Sequence, residues 1–172
     1  IRADLSPESL NKVKPYLDVI QLEFNNLYGH VTGFLSFSKN NVDEEPFVPC
    51  YITELVESVL NLTYPRLNNA KVDLDLQLNS VSEIKVQKQA LQQVLINLIS
   101  NSIEALESIQ QPKRMWIKSW EDQAACYVTV SDNGVGIAEE IKHKIFDPFV
   151  TGKSNGTGIG LAICKQIMEK HH

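Results

Sequence analysis

The chain has 172 residues, of which 43% are hydrophobic and 22% charged, and its formal net charge is -5. This length allows a substantial core, whereas the acidic balance offers no basic face for a phosphate backbone, so no nucleic-acid partner is expected. No apolar run reaches the roughly 18 residues that cross a bilayer, and three scattered cysteines favour a reducing compartment. We therefore expect a cytoplasmic chain, or the cytoplasmic part of a larger protein.

The first predicted element is a long helix. Apolar residues recur at alternating steps of four and three from Val13 to Phe34, which is typical of a seam that packs on a partner helix. The following segment, "NNVDEEPFVP" (40–49), is polar and bracketed by prolines, as linkers are. We therefore predict a helical unit at 1–44 and a second unit at 45–172.

Two more helices are predicted in the second unit. "CYITELVESVLNL" has one apolar face, and the turn-like "YPRLNNA" (64–70) is expected to end that helix. A longer amphipathic helix is predicted over 88–109. Its predicted core stripe consists of Leu91, Val94, Leu95, Leu98, Ser102 and Leu106.

Strands are predicted from strict alternation. "KVDLDLQL" (71–78) alternates throughout, and "MWIKSW" (115–120) with "CYVTV" (126–130) predicts a hairpin. Helices interleaved with mostly hairpin-linked strands indicate an α+β fold. We predict a two-layer α/β sandwich, with one helical layer on one mixed sheet, preceded by the long helix.

Three stretches are candidates for chemistry. "DNGVG" follows the predicted strand and starts with a carboxylate, after which two glycines leave the backbone bare. This arrangement suits the amino group of a flat ligand, although the stretch taken alone is more typical of a turn. "GTGIGLAI" (156–163) brings glycines to a helix start, where N–H groups attract anions. Asn97, Asn101 and Glu104 share one polar stripe of the long helix, where carboxamides suit Mg²⁺ or merely face solvent.

Together these stretches resemble the nucleotide-binding domain of the GHKL superfamily, and more narrowly that of sensor histidine kinases. "QQVLINLISNSIEAL" resembles the N box, "DNGVGI" the G1 box, "IFDPFVTGK" the F box and "GTGIGLAI" the G2 box, in that order. The resemblance covers 45–170. More loosely, residues 10–40 resemble the second helix of the family's dimerisation and phosphotransfer hairpin.

The resemblance implies a site for ATP and Mg²⁺. It assigns the adenine amino group to Asp132, the metal to Asn101, and catalytic positions near the phosphates to Asn97 and Lys153. The remaining nucleotide-binding positions that it implies are Gly134, Gly136, Ile137, Thr151, Gly156, Thr157, Gly158, Gly160 and Leu161. Thr151 and Lys153 belong to a short lid between Pro148 and Gly156. Gln87 stands where relatives usually have an acidic helix cap, so we expect a weaker cap.

Asn97 discriminates between branches of the superfamily. In the related gyrase, mismatch-repair and chaperone ATPases, a glutamate at this place activates water, and Asn97 carries no such carboxylate. Transfer to a histidine needs mainly positioning and charge neutralisation, so the resemblance favours a protein-histidine kinase over an ATPase. The implied partners are a second copy of the chain, through the hairpin, and the receiver domain of a response regulator. The resemblance also implies a full-length protein attached to a membrane, as a sensor of which this chain is a cytoplasmic portion.

The acceptor histidine is not found in this sequence. The family carries it in an "HE-x-x-x-P" stretch, and His30 lacks both the acid and the proline. We expect the chain to begin after that first hairpin helix and to end before the family's last strands. Two alternatives stay open: a serine/threonine kinase of the anti-sigma type, and a non-catalytic, nucleotide-dependent interaction module.

Overall fold

The computed structural model describes residues 45–153 and 156–171. The predicted seam helix and the boundary near Glu44 lie outside these residues, so both stay predictions. The described elements, in chain order, are β1 (Val48–Tyr51), α1 (Ile52–Asn69), β2 (Asp73–Leu78), β3 (Glu83–Val86), α2 (Lys88–Glu107), β4 (Arg114–Glu121), β5 (Cys126–Asp132), α3 (Glu139–Lys142) and α4 (Gly160–Lys170). Among them, no helix is both long and apolar enough to cross a bilayer.

The main sheet has the strand order β2-β4-β5 and is mixed, as predicted. β2 runs parallel to β4, and β4 runs antiparallel to β5 with Met115 opposite Asp132. This confirms the predicted hairpin. Because Met115 is fully buried beneath the helices, its pairing with Asp132 places the end of β5 beside the helical layer.

A second, two-stranded sheet was not predicted. β1 pairs antiparallel with β3, with Cys50 opposite Ile84. The segment 40–49, predicted to be a linker throughout, therefore includes the start of β1 at Val48. The first predicted strand is shorter than expected, since β2 begins at Asp73 rather than at residue 71.

α1 is longer than predicted. It continues through Pro65 to Asn69, although proline removes one helical hydrogen bond, because buried Thr63 and Leu67 on either side keep the last turns packed on the core. The helix ends with Lys71 in the left-handed conformation (φ 57°), and the N–H of Val72 donates to the carbonyl of Leu67 at 3.0 Å. "YPRLNNA" is therefore the end of a helix and not the turn after one.

α2 is the central helix, packed against α1, α4 and β5. Its core stripe is wider than predicted: Ile99 and Ile103 are completely buried, whereas Leu98 is only partly buried. A helix covered by neighbours on several sides needs a broader apolar face than one that lies on a sheet alone. The half-buried polar positions of α2 consequently lie at the margin of the core, where a site can form.

The start of α2 is fixed by two residues far away in sequence. The Glu45 carboxylate accepts the N–H groups of Gln89 at 2.6 Å and Ala90 at 3.0 Å, and Nε2 of His171 accepts the N–H of Gln87 at 3.0 Å. Gln87 forms no side-chain cap, in agreement with the expectation drawn from its identity. Glu45 supplies an acidic cap from outside the helix instead.

Candidate functional site

The candidate site is built around the polar stripe of α2. Asn97, Asn101 and Glu104 are all half-buried, and each lies three or four residues from the next, on one side of the helix. The buried residues Ile99 and Ile103 alternate with them and hold the helix against the core. The polar groups are therefore presented from a rigid element.

The loop after β5 lies directly against α2. Asp132 is half-buried on the strand face that points toward the helices, and its Oδ1 accepts the N–H of Gly134 at 2.9 Å. A Cβ on Gly134 would lie 2.7 Å from the backbone carbon of Ala105, so only glycine permits this approach. The N–H of Val135 donates to the carbonyl of Ala105 at 3.4 Å and ties the loop to the helix.

Gly136 has a different reason to be glycine. Its φ is 72°, a left-handed conformation, and nothing lies within 4 Å of the position where a Cβ would stand. The backbone conformation, and not the available space, sets this requirement. Ile137 follows with about half of its surface exposed (51%), next to the open side of the loop.

Asn133 holds the same loop to the sheet. Its Oδ1 accepts the N–H of Arg114 at 2.7 Å, and its Nδ2 donates to the carbonyl of Pro112 at 2.9 Å. Sequence reasoning gave this residue no role. Asn133 is bonded to the start of β4, and Gly134 packs on α2. These two contacts fix the backbone next to the Asp132 carboxylate.

The second glycine stretch meets α2 through Asn97. The Asn97 carboxamide donates from Nδ2 to the carbonyl of Gly160 at 3.2 Å, at the first residue of α4. The same nitrogen lies 3.6 Å from Sγ of Cys164, one helical turn further on. Burial raises the pKa of the Cys164 thiol, so this neighbour of Asn97 is uncharged at neutral pH.

The chain before α4 is folded tightly on itself. Gly158 has a φ of 66°, and a Cβ there would lie 2.5 Å from the backbone carbon of Phe149. The N–H of Phe149 donates to the carbonyl of Gly158 at 3.0 Å, so the two sides of the predicted lid are bonded at its base. Thr157 accepts the N–H of Ile159 at 3.4 Å, and Leu161 is half-buried in the first turn of α4.

Lys153 reaches across to α2. Its Nζ donates to Oδ1 of Asn101 at 3.0 Å and to Oε2 of Glu104 at 2.5 Å. Its backbone N–H donates to Oγ1 of Thr151 at 3.1 Å, and a Cβ on Gly156 would lie 2.5 Å from that same Oγ1. The sequence placed Glu104 on the polar stripe but did not predict its contact with Lys153.

These groups form a set that fits an adenine nucleotide and Mg²⁺. The Asp132 carboxylate suits an amino group, Oδ1 of Asn101 is a hard oxygen donor, and the ammonium of Lys153 suits a phosphate. Both glycine loops carry a residue in the left-handed conformation, Gly136 in one and Gly158 in the other. In the described ranges, no group of three His, Cys, Asp or Glu side chains is arranged to hold a metal ion.

The structure brings some of the predicted residues into contact on α2. Asn97 meets Gly160, Asn101 meets Lys153, and Gly134 lies on α2. Ile137 and Thr157 have no described contact that links them to the polar stripe. The contributions of Asn133, Glu45 and His171 were missed, because nothing in a sequence marks the partner of a side chain tens of residues away.

A family model described as "Histidine kinase-, DNA gyrase B-, and HSP90-like ATPase" matches residues 86–172. The signal transduction histidine-protein kinase AtoS of Escherichia coli is 33% identical over 158 residues, which are 91% of this chain and 25% of AtoS. Sporulation kinase A of Bacillus subtilis is 33% identical over 159 residues, again 91% of this chain and 25% of the relative. The chain thus spans about a quarter of the length of these curated relatives.

Solved structures of histidine kinases are also similar to this chain. The nucleotide-free catalytic domain of the histidine kinase ThkA matches with a TM-score of 0.65 and 33% identity, over 73% of this chain and 82% of that domain. ThkA in complex with the response regulator protein TrrA matches with a TM-score of 0.69 and 30% identity, over 96% of this chain and 46% of the ThkA chain. The predicted GHKL-type fold is confirmed.

Proposed function

Because this chain belongs to the family of histidine kinase-, DNA gyrase B- and HSP90-like ATPases, and is homologous to sensor histidine kinases, we propose that it is the ATP-binding catalytic part of such a kinase. It binds ATP with Mg²⁺ and transfers the γ-phosphate to a histidine on the first helix of the dimerisation hairpin. The phosphate then passes to the receiver domain of a response regulator.

One observation carries this proposal: three stretches distant in sequence converge on α2. The loop after β5 meets it at Ala105, the start of α4 meets it at Asn97, and the lid lysine meets it at Asn101. A nucleotide consists of a base, a sugar and a phosphate tail, so its site needs different kinds of contact along its length. The polar side of α2 supplies that line.

Each side chain has a distinct role in the proposed complex. The carboxylate of Asp132 accepts from the adenine amino group, a charge-assisted hydrogen bond worth about 1.5–3 kcal/mol. Oδ1 of Asn101 ligates Mg²⁺, which would neutralise charge on the phosphates. Lys153 and Thr151 contact the phosphate tail from the lid, and the backbone from Gly156 to Leu161 wraps it at the start of α4.

Asn97 favours phosphate transfer over hydrolysis. Its carboxamide donates to the Gly160 carbonyl at 3.2 Å, so it links α2 to the phosphate-binding turn instead of activating water. A carboxamide does not act as a general base at neutral pH. Attack by an imidazole nitrogen, which is already a good nucleophile, needs mainly the positioning of its partner.

The partners proposed for the whole protein follow from the same family. A second copy would associate through the hairpin to which residues 1–44 are predicted to belong. The structure of ThkA with TrrA supports a response regulator as the receiver of the phosphate, since ThkA is 30% identical to this chain.

The metal assignment is tested by Asn101→Ala. Removal of the ligand oxygen is expected to abolish the dependence of ATP affinity on Mg²⁺, measured by calorimetry with the metal and with a chelator. Asn61→Ala, on the exposed surface of α1, is the control and should keep the metal dependence. An Asn101 variant with unchanged metal dependence would remove this residue from the site.

The transfer reaction is tested by incubating the chain with γ-labelled ATP and a separate polypeptide that carries the hairpin's first helix. Labelling of that polypeptide with an acid-labile, alkali-stable phosphate is expected, as a phosphohistidine requires. An acid-stable label would instead support the serine/threonine kinase. ATP binding without any transfer would support the interaction module.

A further inference from the structure

The contact between Lys153 and α2 involves the same oxygen that the proposed function gives to the metal. Nζ of Lys153 lies 3.0 Å from Oδ1 of Asn101, so the carboxamide already has a cationic partner in the structure. The ammonium of lysine and Mg²⁺ are both hard cations that seek oxygen ligands. Two cations on one carboxamide oxygen repel each other strongly at such short range.

Glu104 strengthens the hold on Lys153. Its Oε2 accepts from the same ammonium at 2.5 Å, and about 41% of its side chain is exposed, compared with 44% for Lys153. Glu104 lies one turn after Asn101 on α2, so both acceptors of the lysine are presented by one rigid helix. A pair that is partly shielded and backed by a second acceptor is better ordered than an isolated surface pair.

Glu104 is itself oriented from its other side. Nη2 of Arg66 lies 3.9 Å from Oε1 of Glu104, and Nη1 of Arg66 donates to Oγ of Ser100 at 2.9 Å. The arginine is anchored on α1 and bonded to α2, so it keeps the Glu104 carboxylate in place. One oxygen of Glu104 consequently faces α1 and the other faces the lid.

We infer that Glu104 sets the affinity of the site for a magnesium nucleotide, by holding the lid lysine on Asn101 until the metal takes that oxygen. This inference rests on the proposed function. When the magnesium nucleotide binds, Lys153 leaves Asn101 because the metal takes that oxygen, and it leaves Glu104 because the phosphate offers the ammonium a new anionic partner. Release of the Lys153 side chain is thereby coupled to the arrival of the metal, and the lost Glu104 contact lowers the observed affinity.

The test compares the affinity for magnesium ADP in the wild-type chain and in Glu104→Gln, by calorimetry. ADP is used because its shorter phosphate tail offers Lys153 fewer new partners than ATP does, so the loss of the Glu104 contact is less completely offset. Loss of a half-exposed ion pair that competes with binding should tighten the affinity about two- to fivefold. Glu107→Gln removes the same charge from the next turn of α2 and should leave the affinity unchanged.

A double-mutant cycle separates release of the lysine from a simple change of charge. In a Lys153→Met background, Glu104→Gln should no longer tighten binding, since the group that it holds is gone. Equal or weaker affinity in Glu104→Gln would overturn the inference, and so would tightening that persists in Lys153→Met or appears equally in Glu107→Gln. Failure of the wild-type chain to bind magnesium ADP would instead overturn the proposed function, and the inference with it.

Discussion

Asp132 illustrates how a single residue is prepared for binding. One carboxylate oxygen is occupied by the N–H of Gly134 at 2.9 Å, and the flanking Asn133 is bonded to both Pro112 and Arg114. A ligand therefore meets a carboxylate whose orientation is already fixed, so little side-chain entropy is lost on binding.

We predict that Asp132→Asn weakens adenine nucleotide binding by more than about 1 kcal/mol, because a charged acceptor becomes a neutral one. Calorimetry with ADP measures the change. Asp75→Asn, an exposed position on β2, is the control and should bind as the wild type does. Equal affinity in Asp132→Asn would reject the assignment of this residue.

At Gly134, the addition of a single carbon atom would disturb the packing of the loop on α2. We predict that Gly134→Ala lowers the free energy of unfolding by about 1–3 kcal/mol, because the new methyl group would overlap the backbone of α2 at Ala105. Gly152→Ala is the matched control: its methyl group would meet only the end of the Ile141 side chain, at 3.2 Å, and should cost less than about 0.5 kcal/mol. Urea denaturation compares the two, and equal losses would contradict the close approach.

At the scale of elements, α2 depends on a cap that it does not contain. Its first free N–H groups are taken by the Glu45 carboxylate, which also interacts favourably with the positive end of the helix dipole. We predict that Glu45→Ala destabilises the fold by about 0.5–2 kcal/mol, measured by chemical denaturation. Glu57→Ala, an exposed position inside α1, should have little effect. A Glu45 variant as stable as the wild type would show that water replaces the cap without loss.

The turn of the β4–β5 hairpin is held by the Asp122 carboxylate. The pKa of Asp122 is lowered because its carboxylate accepts the N–H groups of Ala124 and Ala125, at 2.7 and 2.9 Å, and the O–H of Tyr127 at 3.0 Å. Since the pKa in the folded state lies below that in the unfolded state, this stabilisation is complete above the ordinary value of about 4 and is lost as the pH falls through the folded value.

We therefore predict that wild type and Asp122→Asn differ most in free energy of unfolding near neutral pH, and that the difference shrinks below about pH 4. Urea denaturation at a series of pH values measures it. A difference that stays constant down to about pH 3 would show that the Asp122 charge contributes nothing to the turn.

For the molecule as a whole, periodicity predicted the elements with one clearly buried face. α2 and the β4–β5 hairpin belong to this group, because their apolar positions repeat over many residues. β1 and β3 were missed, since each has four residues with a single buried side chain, Cys50 or Val86, and no period is visible over that length. The last turns of α1 were missed because burial of Leu67 outweighs the local effect of Pro65.

The site could be predicted as positions but not as contacts. Motif order indicated Asn97, Asn101, Asp132 and the glycines, and their proposed roles stay predictions until a nucleotide is bound. The pairing of Lys153 with Glu104 spans 49 residues, and that of His171 with Gln87 spans 84. Long polar side chains have many possible partners, and only the packed fold selects one.

We propose that a magnesium nucleotide binds along the polar side of α2. Titration of the chain with magnesium ADP, followed by two-dimensional NMR of the backbone amides and asparagine side chains, tests it most directly. We expect saturable shifts at Asn101, Gly134, Gly136 and Gly158, and little change on the outer face of the sheet at Trp120 and Thr129. A spectrum that does not change, or shifts confined to that outer face, would contradict it.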